Sequence, residues 1–178
     1  IELSRQYKHQ EILDLKCLLN VISLPTKQCD GFLYGYVVPQ LNKEFDLLKI
    51  TNDACLNIEL KSENVGLDRI KTQLVRNYNY LKYLSLDMYL FTFVSDSKTF
   101  YKLNDNLELV TTSVEEVLKA IYSFKDNIYP DIDKMFKTSD YLVSPNVHPH
   151  KFINEQYFLT SQQEFIKAKI LQVLKNEN

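Results

Sequence analysis

Two short strand-like runs joined by a polar turn constrain this chain most. Residues 44–50, EFDLLKI, and residues 56–61, LNIELK, flank a segment with Thr51-Asn52-Asp53-Ala54, a group with turn chemistry. Side chains alternate between the two faces of a strand. Leu56, Ile58 and Leu60 therefore point into a core, while Asn57, Glu59 and Lys61 point the other way. If the two strands pair, Asp46 meets Glu59 and Lys61 at one end of a sheet. Two carboxylates beside an ammonium suit a divalent metal that activates water against a phosphodiester.

The flanking pattern alternates helix and strand. Residues 4–20 carry an apolar stripe of Ile12, Leu15, Leu18 and Leu19, with Ser4 as candidate cap, and read as a helix. Residues 31–38 read as a strand ahead of the motif pair. Residues 66–84 read as a second helix, with Leu67, Ile70, Leu74, Leu81 and Leu84 on one side and Tyr78 between. On the opposite side the spacing places Arg69, Gln73, Arg76, Asn77 and Tyr80. MYLFTFV (88–94) is nearly continuous in apolar residues and reads as a strand buried on both faces. TFYKL (99–103) and LELVT (107–111) read as a hairpin or edge pair. A helix follows from Val114 to about Phe124, capped by Ser113, with Glu115 and Glu116 in its first turn. The order α-β-β-β-α-β predicts an α/β fold with a mixed central sheet flanked by helices.

The character changes after Asp126. The sequence predicts an α/β domain over 1–125 and a connecting arm over 126–178 leading towards a following domain. Tyr141, Leu142, Val143, Phe152, Ile153, Tyr157 and Phe158 make that arm too apolar for a free linker. Its last stretch, 161–175, reads as a helix opened by the capping-box spacing of Ser161 and Glu164.

With 45% hydrophobic and 25% charged residues, the chain is not of the disordered class. Its net charge of -2 does not advertise nucleic-acid binding, yet phosphate contact is local and acidic ligands offset basic grooves. Cys17, Cys29 and Cys55 lack zinc-like spacing and fit reduced thiols in a cytoplasmic protein. No apolar run approaches bilayer length. The three glycines form no phosphate loop, and neither a G-x-S-x-G elbow nor H-E-x-x-H occurs.

Asp46 followed by Glu59-x-Lys61 and a helix resembles the PD-(D/E)xK nuclease superfamily. Phe45 stands where the family has proline. Gln73, heading QLVRNYNYL, is similar to the helix glutamine of RecB-like members. The family tyrosine would fall at Asn77, with tyrosines instead at 78 and 80. The resemblance covers about residues 5–125 and implies a restriction-endonuclease-like fold. It further implies a metal-dependent deoxyribonuclease. Asp46, Glu59 and the backbone carbonyl of Leu60 would hold Mg²⁺ or Mn²⁺, with Lys61 and Gln73 completing the catalytic set. Arg69, Arg76 and Tyr80 would meet DNA. Glu11 on the first helix is a further metal candidate, since many members place an acid there. Residues 140–174 resemble the stretch leading into bacterial helicase modules fused behind small nuclease domains, which implies a helicase/ATPase partner.

Short motifs recur by chance, so other readings stand beside these. Asp46, Glu59 and Lys61 also fit a surface strand with a salt bridge, and the helix residues a solvated face. Glu44 shares a strand face with Asp46 and is an auxiliary acid; Asp53 and Glu63 suit turn or outer contacts. His9 lies off the face of Glu11, and His148 and His150 lack a third ligand. The alternative to an enzyme is a catalytically weak nucleic-acid-docking or interaction module of the same fold.

Overall fold

The computed structural model describes residues 9–39, 41, 43–124, 130–137, 141, 150, 166, 169 and 172. The Ser4 cap, most of the arm, and all of 161–175 except 166, 169 and 172, including the Ser161 capping box, lie outside the described residues. The chain divides into two compact units: Ile1–Tyr36 with Phe45–Ile132, and Val37–Glu44 with Asp133–Asn178.

The first helix, α1, spans His9–Ile22. Three strands follow: β1 (Leu33–Val38), β2 (Lys43–Ile50) and β3 (Ala54–Lys61). Helix α2 spans Leu67–Leu81 and runs into a 3-10 turn over Lys82–Leu84. Strands β4 (Asp87–Val94), β5 (Thr99–Leu103) and β6 (Leu109–Thr112) precede helix α3 (Val114–Tyr122). A single helical turn, α4, covers Ile132–Met135. The strands form one sheet in chain order, β1 to β6. β2 and β3 are antiparallel, β3 and β4 parallel, and β4–β5–β6 antiparallel. The fold is therefore α/β, with a mixed sheet flanked by helices, as the element order predicts.

Local chemistry explains the corners. Thr51 closes the β2–β3 turn: its N–H donates to the Ala54 carbonyl at 2.9 Å and its hydroxyl to Asp53 at 2.6 Å. Gly66 opens α2 at φ 97°, where a side chain would strain the backbone. Ser113 caps α3 by accepting from the Glu116 N–H at 3.3 Å. The backbone N–H of Glu115 first, and the Ser113 hydroxyl second, hold the Glu115 carboxyl below the usual range.

Both faces of the central strands are covered. One layer joins Leu18 and Ile22 of α1 to Leu47, Leu56, Ile58, Phe91, Phe93 and Phe100, and to Val117, Ala120 and Ile121 of α3. The opposite face carries Cys55, Asn57, Glu59, Leu90, Thr92 and Val94, and α2 lies over it through Ile70, Leu74, Asn77 and Leu81, all buried. This accounts for the unbroken apolar run of β4, whose residues 90–94 are buried irrespective of face. It also places a charge in the first layer. Lys49 is 3% exposed, and its ammonium sits 5.4 Å from the ring centres of both Phe32 and Phe124. Burial pushes this amine below the ordinary lysine range, while Asp30 and Cys29 pull it back. Cys55, wholly buried beside Asp87, has its thiol pushed up to about 12 by burial first and by that carboxylate second.

In the second unit, the rings of Phe136 and Tyr141 lie 6.3 Å apart and both are buried. The aromatic content of the arm is thus packed at these two residues. No helix among the described residues is long and apolar enough to cross a membrane.

Candidate active site

The β2–β3 ladder sets the candidate residues side by side. Its register runs from Ile50↔Cys55 to Leu47↔Ile58. One step further, Asp46 falls opposite Glu59. There the carboxylate of Asp46 replaces a strand partner: its Oδ2 accepts the Leu60 N–H at 2.8 Å. The predicted meeting of Asp46 with the Glu59-Leu60-Lys61 strand is present, made through the backbone of Leu60.

Glu59 sits more deeply than a facing-outward pattern implies. It is 1% exposed, because the second side of β3 is covered by α2. A buried carboxylate needs donors, and amide side chains supply them. Its Oε1 accepts from Asn57 Nδ2 at 3.1 Å and from Asn77 Nδ2 at 2.8 Å, and its Oε2 accepts from Gln73 Nε2. Asn57 Nδ2 also donates to the Leu47 carbonyl at 3.0 Å, and Asn77 Nδ2 to Asn57 Oδ1 at 2.7 Å. Thr92 lies beside Glu59 across the parallel ladder, buried, its hydroxyl without a hydrogen-bond partner among the described residues.

Lys61 ends β3 two residues beyond Glu59 on the same face, half-buried. Just past it, Ser62 donates to Asp14 Oδ2 at 2.6 Å, and Gln10 donates to Asp14 Oδ1 at 3.2 Å. Asp14 is 4% exposed. Asp14 of α1 thus reaches the end of β3; Glu11 lies three residues earlier on the helix and is half-buried. Gln73 reaches the site as expected. Asn77 and Tyr80 do not share an outward face with Arg69. Both are buried, Tyr80 at 2% exposure, so the expected offering of Tyr80 to DNA is corrected: its ring belongs to the covered side of α2. Arg69 is exposed and Arg76 half-buried. Leu67, expected in the buried stripe, is 52% exposed. Asp53 serves the turn as anticipated, Glu63, His9 and His150 are exposed, Glu44 belongs to the second unit, and His148 lies outside the described residues.

The sequence pattern assigns no part to Asp14 or Thr92, and places Asn57 and Asn77 on strand and helix faces without giving them a role. A signal existed for three of them. Asn57 and Glu59 share a strand face, Asn77 falls one helical turn after Gln73, and Asp14 falls one turn before Leu18 on the inward stripe of α1.

The donor set suits a hard divalent cation in kind. Asp46 Oδ1 has no hydrogen bond among the described residues, and Glu59 Oε2 carries the Gln73 amide. Among the described residues no three His, Cys, Asp or Glu side chains gather as a ready cluster. Two carboxylates with the Leu60 carbonyl would leave the other positions of an ion to water and phosphate, as in open catalytic sites. Searches of known protein families, of curated proteins and of solved structures found no match to this chain.

Proposed function

We propose that the α/β unit is a metal-dependent nuclease domain that hydrolyses phosphodiester bonds of DNA, coupled to a helicase or ATPase in the same polypeptide or complex. The observation that carries this reading is the Asp46 carboxylate seated on the Leu60 N–H, within the segment bearing Glu59 and Lys61. Mg²⁺ or Mn²⁺, held by Asp46, Glu59 and the Leu60 carbonyl, would supply an activated water and offset charge at the phosphate. The protein's own groups do the rest. Asp46 and Glu59 present oxygens from neighbouring strands. Gln73 fixes the Glu59 carboxylate from α2. The Lys61 ammonium has no partner among the described residues and is suited to a phosphate oxygen or to orienting water.

One observation favours a second reading. Glu59 is buried and already accepts three amide hydrogen bonds, as in a structural polar network. On that reading the unit docks DNA or a partner without cleaving. Purified protein incubated with duplex and single-stranded DNA and Mn²⁺ separates the two. Cleavage that is abolished in Asp46→Asn and Lys61→Met, with both variants folded, supports the nuclease. DNA binding without cleavage, or cleavage that survives both substitutions, overturns it.

A further inference from the structure

We propose that Asn57 and Asn77 are positioning residues for Glu59, and that this pair sets the affinity of the site for a divalent cation. The proposal rests on the metal-dependent reading above. It starts from the connectivity of the two amides. Asn57 Nδ2 ties together the Leu47 carbonyl, next to Asp46, and Glu59 Oε1. Asn77 Nδ2 reaches from α2 to Asn57 Oδ1 and to the same Oε1. One pair of side chains, each with no exposed surface, thus links the two carboxylate-bearing strands and, together with Gln73, orients Glu59. Oε1 accepts from both asparagines, and Oε2 accepts from Gln73.

Asn77 does this at its own expense. Its Oδ1 is buried without a hydrogen-bond partner among the described residues. An unpaired buried acceptor destabilises a fold, so a leucine would serve the packing of α2 better. What asparagine adds here is the pair of N–H groups directed at Asn57 and Glu59. Groups that orient a metal ligand without touching the metal commonly govern metal affinity.

The test is direct binding of Mn²⁺ alone, by calorimetry or by the loss of free-ion resonance, at a temperature where every variant is folded. Asn77→Leu and Asn57→Val should each weaken binding by about 10–100-fold. Leu74→Val, on the same buried side of α2 but without a bond to Glu59, should lower the melting temperature and leave Mn²⁺ affinity unchanged. If the wild type binds Mn²⁺ and the asparagine variants bind it equally well, the positioning role is overturned and the metal site stands. If the wild type does not bind Mn²⁺, the metal reading itself fails and takes this proposal with it. If neither asparagine variant folds, and Asn77→Ser fails also, the pair serves the fold and the proposal is overturned.

Discussion

Glu59 ties chemistry to stability. The outward alternation of β2 and β3 suggests that Asp46, Glu59 and Lys61 can each be truncated without harm to the fold. For Glu59 the burial overturns this. Glu59→Ala strands the amides of Asn57, Gln73 and Asn77 beneath α2, and should cost roughly 3 kcal/mol or more, since each orphaned buried donor costs about 1–3 kcal/mol. Glu59→Gln keeps one acceptor oxygen and should cost less. Chemical denaturation checks the order, and equal stability of Glu59→Ala and wild type would show that the network contributes nothing. Lys49 makes a pH-dependent contribution of the opposite kind. Its folded-state pKa lies below the ordinary value of 10.5 because burial disfavours the charged form. The unfolded chain then binds the proton more tightly, so this residue's penalty is full at low pH and is relieved as pH rises from the folded pKa towards 10.5. Lys49→Met should therefore differ from wild type in the slope of stability against alkaline pH, with wild type gaining on the variant as pH rises. A difference independent of pH would mean that the amine titrates normally.

Helix α2 has two separable faces, and its sequence revealed only part of that division. Ile70, Leu74 and Leu81 were legible as a buried stripe from their spacing, and all three are buried. Asn77 and Tyr80 were not, because polarity argues for solvent whenever no buried acceptor is known to await the side chain. The acceptors, Glu59 and Asn57, lie 18 and 20 residues from Asn77 on a neighbouring strand. Only the β3–α2–β4 crossover brings them together. Strand β3 was read in the same partial way: its alternation gave the correct faces, but a second covered face looks, in sequence, like an exposed one when it carries Asn and Glu. Two substitutions test the faces. Leu74→Ala should destabilise the fold by about 2–5 kcal/mol, as a buried leucine truncation does. Replacing Arg69 and Arg76 together should weaken DNA binding and flatten its salt dependence by about one unit of log–log slope per lost phosphate contact. An unchanged slope would make the outer side of α2 an ordinary solvated surface.

At the scale of the whole molecule, the order α-β-β-β-α-β was legible because each element has its own period. The parallel pairing of β3 with β4, which fixes Glu59 beside Thr92, was not. Neither strand carries a local signal for its partner, and the pairing follows from α2 returning the chain across the sheet. That arrangement makes β3 and β4 the centre of the unit, with α2 over one face and α1 and α3 over the other. Opening either strand exposes both layers at once, so their amides should exchange only through global unfolding, whereas β6 at the sheet edge should exchange by local opening. Hydrogen exchange resolved to single amides tests this: Ile58, Phe91 and Phe93 should give the highest protection, and Leu109–Thr112 markedly less. The candidate site adds a sharper expectation. Because Glu59 is bonded to both β3 and α2, Glu59→Ala should lower protection in β3, β4 and α2 together, while Lys61→Met at the strand end should leave all three unchanged. Loss of protection confined to α2 would mean that the amide network fastens a helix to the sheet without belonging to the cooperative core.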